Sequence, residues 1–101
     1  MTVVLFFMSR ELVEVEFKII GRVQMVMYRD FAKRRADFLQ IFGFVKNNAD
    51  GSVMAVAQGL PEDILQFEKY LQQGPLFAKV RNVTKTERRI EKEYSSFEVE
   101  Y

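Results

Sequence analysis

The sequence predicts an α+β fold: a βαββαβ two-layer sandwich with an antiparallel sheet and two helices on one of its faces. Segments with apolar residues at every second position are interleaved with two segments at helical spacing, in the order strand, helix, strand, strand, helix, strand. The turn Ala49-Asp50-Gly51 joins the middle two strands as a hairpin. A chain of 101 residues, 49% of them hydrophobic, is long enough for one domain with a real core.

The first predicted strand, residues 11–20, has the alternation of a half-buried strand. Its apolar positions are Val13, Val15, Phe17 and Ile19. The first predicted helix follows the next loop and has one apolar face. That face contains Tyr28, Phe31, Ala32, Arg35, Leu39 and Phe42. The basic run 33–35 is interpreted as a solvated helix face, because the formal net charge of the chain is only +1.

The second half of the chain supplies the hairpin, the second helix and the last strands. Residues 44–48 and 52–57 flank the turn. The second helix begins near Pro61, with acidic residues in its first turn, and ends at Gly74. Its apolar stripe consists of Ile64, Phe67, Tyr70 and Leu71. Residues 78–86 and 97–101 supply the two last strands, the second being a short extra one. This order is that of the ferredoxin-like split β-α-β sandwich.

Residues 1–10 are interpreted as an N-terminal extension or arm, and residues 11–101 as the domain. Residues 3–8 are an apolar hexapeptide with no basic residue before it. They are fewer than the roughly 7–15 apolar residues of a secretion signal, and far fewer than the ~20 that span a bilayer. Two interpretations remain: an arm or edge strand packed on the domain, or a leader before a start at Met8. We favour the packed arm.

Composition excludes several classes of chemistry. The chain has no cysteine and therefore no disulfide, thiolate nucleophile or zinc–thiolate site. It has no histidine, which removes the usual general base and the commonest metal ligand. The net charge near zero argues against nucleic-acid and membrane partners. We therefore expect no metal or cofactor, and the absence of cysteine is compatible with the reducing cytoplasm. We also expect the protein to be a monomer.

Residues 21–29 join the first strand to the first helix and read Gly-Arg-Val-Gln-Met-Val-Met-Tyr-Arg. A strand–loop–helix junction presents free backbone N–H groups backed by the positive helix end, which together form an anion site. Arg29 adds a forked cation one turn into the helix. Asn47 lies on the next strand, where it can face the same point. These residues predict a phosphate site.

Two motifs in this part of the chain resemble the signatures of the acylphosphatase family. The first comprises Gly21, Val23, Gln24, Val26, Tyr28 and Arg29, with Met25 where the family has a second glycine. The second comprises Gly43, Phe44, Val45, Lys46, Asn47, Gly51, Val53 and Gly59. The resemblance covers roughly residues 13–101. It implies the ferredoxin-like fold and metal-independent hydrolysis of carboxylic–phosphoric anhydrides, with Arg29 and Asn47 at the catalytic positions.

The residues themselves suggest a similar chemistry. Phosphoryl transfer depends mainly on positioning and charge stabilisation. Backbone N–H groups would hold the phosphate, Arg29 would bind two of its oxygens, and Asn47 would orient the attacking water. Because no group strongly activates the water or protonates the leaving group, the leaving group must be a good one, such as a carboxylate. The candidate phosphate-binding loop is Arg22, Val23, Gln24, Met25, Val26, Met27 and Tyr28. The expected partner is a small acyl phosphate, with inorganic phosphate or sulfate as a competing anion.

Two positions depart from the family pattern. Met25 stands in the proposed cradle itself. If that position needs positive φ, a non-glycine residue costs roughly 1–2 kcal/mol. If glycine there only leaves room, Met25 instead places a flexible thioether over the site. Gln40 stands where relatives usually have a helix-ending glycine, and we expect it to reduce stability rather than activity.

Other functions remain open at this point. A degenerate, non-catalytic member would bind phosphate or a partner without turnover, an interpretation that Met25 supports. Taken singly, Arg29 is typical of a helix end that solvates itself, and Asn47 of a turn residue beside Asp50. An RNA-recognition module shares this strand–helix order, but its stacking aromatics belong on the third core strand. Here that strand, residues 52–57, has none.

Overall fold

The structure, a computed structural model, describes residues 11–101, which form five strands and two helices. In chain order they are β1 (Val13–Arg22), α1 (Tyr28–Leu39), β2 (Phe42–Asn47), β3 (Val53–Gly59), α2 (Pro61–Gln73), β4 (Lys79–Arg88) and β5 (Phe97–Glu100). This order confirms the predicted ferredoxin-like βαββαβ arrangement with a short strand added at its end. The predicted N-terminal arm, residues 1–10, lies outside the described residues.

The five strands form one sheet in the order β4-β1-β3-β2-β5. The pairs β1–β3, β1–β4 and β2–β3 are antiparallel, as predicted. Strand β5 departs from the prediction because it runs parallel to β2, with Phe97 opposite Gly43. The chain reaches this edge across the face opposite the helices. There Gln58 Nε2 donates to the Lys92 carbonyl at 2.6 Å, and the Tyr94 ring packs edge-on against Phe44.

The core lies between the sheet and the two helices. Val15, Phe17 and Ile19 of β1 are buried, which confirms the predicted alternation of this strand. Phe67 of α2 packs edge-on against Phe17, with ring centroids 6.0 Å apart, and against Phe97 of β5 at 5.8 Å. Helix α2 therefore connects the central part of the sheet to the added strand. The C-terminal strand is part of the core rather than an appendage.

Helix α1 is shorter than predicted. The predicted apolar face extends to Phe42, but the helix ends at Leu39 and Phe42 begins β2, opposite Gln58. The reason lies in Gln40, whose left-handed conformation (φ 57°, ψ 42°) ends the helix. Because a glycine adopts this conformation without the clash that a Cβ causes, the expectation that Gln40 reduces stability has a structural basis here.

Two motif glycines allow neighbouring strands to approach closely, Gly21 at the end of the sheet that carries Asn47 and Gly43 at the opposite end. Gly21 (φ 140°) lies where the β1–β4 register shifts, and a Cβ there would overlap the Lys79 carbonyl oxygen. Gly43 (φ 146°) lies at the start of β2, and a Cβ there would overlap the Val56 carbonyl oxygen. Any other residue at these positions would push neighbouring strands apart.

Candidate active site

The loop between β1 and α1 presents an open helix N-terminus. Met27 is the N-cap residue of α1, and no side chain caps this end. The first helical hydrogen bond runs from the Phe31 N–H to the Met27 carbonyl, at 3.1 Å. The N–H groups of Tyr28, Arg29 and Asp30 therefore have no intrahelical acceptor. This is the positive helix end that the sequence predicts for an anion site.

The loop contains two left-handed residues, Met25 (φ 61°) and Met27 (φ 65°). The first value resolves the alternative left open by the sequence, because position 25 does adopt positive φ. A non-glycine residue in this conformation is strained by about 1–2 kcal/mol. Val26, between them, packs against the core, whereas the Met25 side chain is fully exposed. The conformation of the loop thus includes two strained residues, and Val26 anchors it to the core.

Gln24 ties the loop to the β2–β3 hairpin. Its Nε2 donates to the carbonyls of Asn48 and Ser52, both at 2.8 Å. The sequence predicts only a backbone contribution of Gln24 to the phosphate cradle, and this side-chain role is an addition from the structure. No local pattern indicates it, since both acceptors are backbone atoms of a distant turn. The consequence is that the hairpin carrying Asn47 and the loop carrying Met25 are held together.

Asp50 stabilises the hairpin turn. Its carboxylate accepts hydrogen bonds from the Ser52 hydroxyl at 2.6 Å and from the Ser52 N–H at 3.0 Å. Lys18 of β1 forms an ion pair with it at 3.1 Å. These hydrogen bonds from Ser52, together with Lys18, hold the pKa of Asp50 well below its usual range. The carboxylate form of Asp50 therefore supports the turn to which Gln24 is bonded.

A cleft of about 430 Å³ lies at this end of the molecule. Its lining residues are Val23, Met25, Met27, Tyr28, Arg29, Asp30, Asn47 and Tyr101. The cleft brings together Arg29, Asn47 and most of the predicted loop. Three predicted loop residues do not line it. Arg22 lies at a separate cleft with Lys79, Gln24 is bonded to the hairpin, and Val26 packs inward.

Arg29 is oriented by the last two residues of the chain. Its Nη1 donates to the Glu100 carbonyl at 3.0 Å, and its guanidinium lies over the Tyr101 ring, 4.5 Å from the centroid. Tyr101 and Asp30 also line the cleft, although the sequence motifs do not predict them as site residues. Asp30 is signalled only by its place in the first turn of the helix. Tyr101 reaches the cleft because β5 pairs with β2, and no local pattern indicates that pairing.

Asn47 ends β2, and its Oδ1 is buried without a hydrogen-bond partner among the described residues. The sequence left open that Asn47 is a turn residue, but its neighbour Asn48 has that role. Asn48 donates through its N–H and its Nδ2 to Ser52, at 2.8 and 2.9 Å. An unsatisfied buried acceptor costs about 1–3 kcal/mol, and most such groups in proteins are paired. Asn47 therefore lines the cleft that contains Arg29 and carries a buried acceptor that no described residue uses.

Tyr28 joins the cleft to the core. Its ring is buried, and its hydroxyl donates to the Leu71 carbonyl of α2 at 2.6 Å. Burial raises the pKa of this hydroxyl, so it stays protonated and acts only as a donor at neutral pH. The first residue of α1 is thereby fixed against the second helix.

Two further properties concern residues 11–101 as a whole. Within this range no three His, Cys, Asp or Glu side chains are grouped closely enough to hold a metal ion. Neither of the two helices found there has the length and apolar character that crossing a bilayer requires.

The sequence and the fold of this chain are similar to those of known proteins. The family model "Acylphosphatase" matches residues 15–99. An acylphosphatase of Actinobacillus succinogenes is 39% identical over 89 residues, covering 88% of this chain and 99% of that protein. One from Thiobacillus denitrificans is 42% identical over 81 residues, covering 80% and 89%. The crystal structure of acylphosphatase from Bacillus subtilis superposes with a TM-score of 0.85 at 31% identity, covering 88% of this chain and 99% of that one. The chain belongs to the acylphosphatase family.

Proposed function

We propose that the protein hydrolyses acyl phosphates to a carboxylate and inorganic phosphate in the cleft lined by Arg29 and Asn47. One observation carries the proposal: Asn47, whose amide oxygen has no partner among the described residues, lines this cleft together with Arg29 and the open N-terminus of α1. These three groups are a water-orienting acceptor, a phosphate-binding fork and a set of anion-binding donors. The family of the chain acts on the same substrate class.

The phosphoryl group is bound by the loop and by Arg29. The free N–H groups at the start of α1 donate to its oxygens, and the positive helix end adds to the attraction. Arg29 uses one of its five N–H donors on the Glu100 carbonyl, which leaves a pair for bidentate binding. Charge therefore accumulates on oxygens that already face fixed donors, as electrostatic catalysis requires.

The attacking water is oriented by Asn47. It donates one hydrogen to Oδ1, which directs a lone pair at phosphorus in line with the acyl oxygen. As the new P–O bond forms, the bond between phosphorus and the acyl oxygen breaks, and the carboxylate leaves with the electron pair. The proton released by water passes to an oxygen of the phosphoryl group. Because a carboxylate leaves without protonation, the chain needs no general acid, in agreement with its lack of histidine.

The experiment is a phosphate-release assay of the purified chain on acetyl and benzoyl phosphate, with an alkyl phosphate as the poor-leaving-group control. We expect turnover of both acyl phosphates, insensitivity to chelator, competitive inhibition by phosphate or sulfate, and elution as a monomer in gel filtration. Arg29→Gln should weaken phosphate inhibition and lower kcat/KM by about 10²-fold or more. Activity that is lost in chelator and restored by metal would contradict the proposal.

One alternative function has an observation in its favour. The strained, fully exposed Met25 in the cradle is compatible with a member of the family that binds phosphate without turning over substrate. Saturable phosphate binding by a chain that hydrolyses neither acyl phosphate would favour this alternative over the enzyme.

A further inference from the structure

Three large apolar side chains are exposed at the mouth of the cleft. Met25 is 100% exposed, Met27 63% and Tyr101 97%, and all three line the cleft that contains Arg29 and Asn47. Clustered exposed apolar groups of this kind mark surfaces that contact a ligand, whereas isolated ones are ordinary. Here the cluster borders the site of the proposed reaction.

The backbone of the loop keeps these methionines at the surface. Met25 and Met27 are both left-handed, and Val26 between them packs against the core. Exposed, unbranched thioether side chains adapt to apolar groups of different shape. Backbone strain that concentrates at a ligand-binding loop is a common property of functional sites. The strain at Met25 and Met27 therefore coincides with an apolar, adaptable rim.

The apolar rim continues beyond the cleft. A second cleft of about 430 Å³ begins at Met27 and lies between α1 and the segment after α2. Its lining residues are Met27, Phe31, Arg34, Arg35, Pro75 and Leu76. Leu76 is 88% exposed, and the Arg35 guanidinium is stacked over the rings of Phe31 and Tyr70, at 5.2 and 4.5 Å. Met27 lines both clefts, so the two clefts adjoin at this side chain.

We propose that this second cleft is an acyl subsite: the substrate carries an apolar acyl chain that passes over Met27 and contacts Phe31 and Leu76. The inference rests on the proposed function. In an in-line displacement the acyl oxygen lies opposite the attacking water, so the acyl group must leave the phosphate site at the cleft mouth. Met25, Met27 and Tyr101 border the mouth, and the second cleft adjoins it at Met27.

The first test is a homologous series of acetyl, butanoyl, hexanoyl and octanoyl phosphate, assayed by phosphate release with the wild-type chain. Burial of apolar surface predicts a rise in kcat/KM of about fourfold per methylene that enters the subsite, until the cleft is filled. The same kcat/KM for all four substrates would overturn the inference. Hydrolysis of acetyl phosphate in that case would leave the proposed function standing, whereas no hydrolysis of any of them would overturn both.

The second test compares two exposed leucines. Leu76→Ser removes an apolar wall of the subsite, and we expect the octanoyl-to-acetyl ratio of kcat/KM to fall about tenfold. Leu65→Ser is the matched control, because Leu65 is 53% exposed but lines a different cleft beside Glu87. Its ratio should stay that of the wild type. An unchanged ratio in Leu76→Ser would overturn the path through the second cleft, and folding of both variants is checked by circular dichroism.

A third test distinguishes a preference for apolar acyl groups from a preference for anionic ones. Arg34 lines the second cleft and is exposed, so a dicarboxylic acyl phosphate would find a cation there. Succinyl and butanoyl phosphate have the same number of acyl carbons and differ in the terminal carboxylate. An apolar subsite predicts a higher kcat/KM for butanoyl phosphate. A preference for succinyl phosphate that is lost in Arg34→Gln would overturn the apolar assignment.

Discussion

The guanidinium of Arg29 lies over the ring of Tyr101, 4.5 Å from its centroid, while Nη1 of the same group donates to the Glu100 carbonyl at 3.0 Å. The first turn of α1 and the end of the chain thus meet at one side chain. These two contacts fix the plane of the guanidinium. A free Arg side chain would lose rotamer entropy on binding a ligand, and the contacts reduce this cost. We infer that Glu100 and Tyr101 position the guanidinium of Arg29, the proposed phosphate-binding fork.

The first prediction concerns that ring. Tyr101→Ala removes the cation–π contact and leaves the Glu100 hydrogen bond in place. An exposed contact of this kind is worth about 0.5–1 kcal/mol, so phosphate inhibition should weaken by about 2–5-fold, with a similar loss in kcat/KM. Tyr101→Phe is the control, because it keeps the ring and should keep the wild-type values. Equal losses in the two variants would show that the hydroxyl, not the ring, matters.

The second prediction separates Asn47 from its neighbour. Asn47→Ala removes the acceptor that we propose orients the attacking water, and we expect kcat to fall by about 10²-fold or more, because a misplaced water reacts slowly. Stability should hold or rise, because the variant also removes a buried unsatisfied oxygen. Asn48→Ala should instead retain kcat and lose stability, because it breaks the hydrogen bond from Nδ2 to Ser52 and destabilises the hairpin by about 1 kcal/mol.

These two variants are compared by steady-state kinetics and urea unfolding. If Asn47→Ala retained a kcat near that of the wild type, its role in orienting water would be wrong. If Asn48→Ala lost as much turnover as Asn47→Ala with full stability, the two asparagines would have been assigned in the wrong order.

The third prediction is a pH dependence from Asp50. Its pKa in the folded chain is lowered by hydrogen bonds from Ser52 and by Lys18, so the unfolded chain binds the proton more tightly. Its contribution to stability is therefore present above the ordinary value of about 4 and is lost as the pH falls from there toward the lowered value. Asp50→Asn should be less stable than the wild type at pH 7, and this difference should shrink at pH 3. Urea unfolding at the two pH values measures it, and equal differences would contradict the assignment.

Local sequence patterns were sufficient to predict the order of the elements and the motif residues. Strand alternation identified β1, and the loop and hairpin motifs identified Arg29 and Asn47 as candidates that the fold brings to one cleft. Periodicity alone predicted the end of α1 wrongly, because apolar Phe42 continues the helical spacing. The family resemblance had marked Gln40 as the helix-ending position, and the structure confirms this. Backbone conformation at one residue overrides periodicity there.

The parts of the site that depend on distant contacts were beyond such patterns. Tyr101 lines the cleft only because β5 pairs in parallel with β2, and a parallel pairing leaves no turn signal. The Gln24 side chain donates to two backbone carbonyls, and because every residue has a backbone carbonyl, no residue type in the sequence indicates these acceptors. Both contacts are decided by tertiary structure, which one chain's local preferences do not encode.

The last prediction concerns Met25, and Gln40 supplies its control. Both residues are non-glycine, exposed and left-handed, with φ values of 61° and 57°. Glycine at either position relieves the clash of the Cβ but raises the entropy of the unfolded chain. The net result should be a gain of about 0.5–1 kcal/mol in the free energy of unfolding for Met25→Gly and for Gln40→Gly alike. Urea unfolding of both variants tests this gain.

The kinetics of the two variants should differ, because only Met25 lines the cleft. Charge-assisted N–H···O bonds to phosphate are made at about 2.7–2.9 Å, so relief of strain in the proposed cradle should improve several contacts at once. We expect Met25→Gly to raise kcat/KM on acetyl phosphate and to tighten phosphate inhibition, and Gln40→Gly to change neither. The proposed acyl subsite adds a sign test: Met25→Gly should lose apolar contact and so lower the octanoyl-to-acetyl ratio. Stabilisation of both variants with unchanged kinetics in both would mean that strain at position 25 affects folding but not phosphate binding. A wild type inactive on acetyl phosphate beside an active Met25→Gly would instead identify Met25 as the residue that switches turnover off.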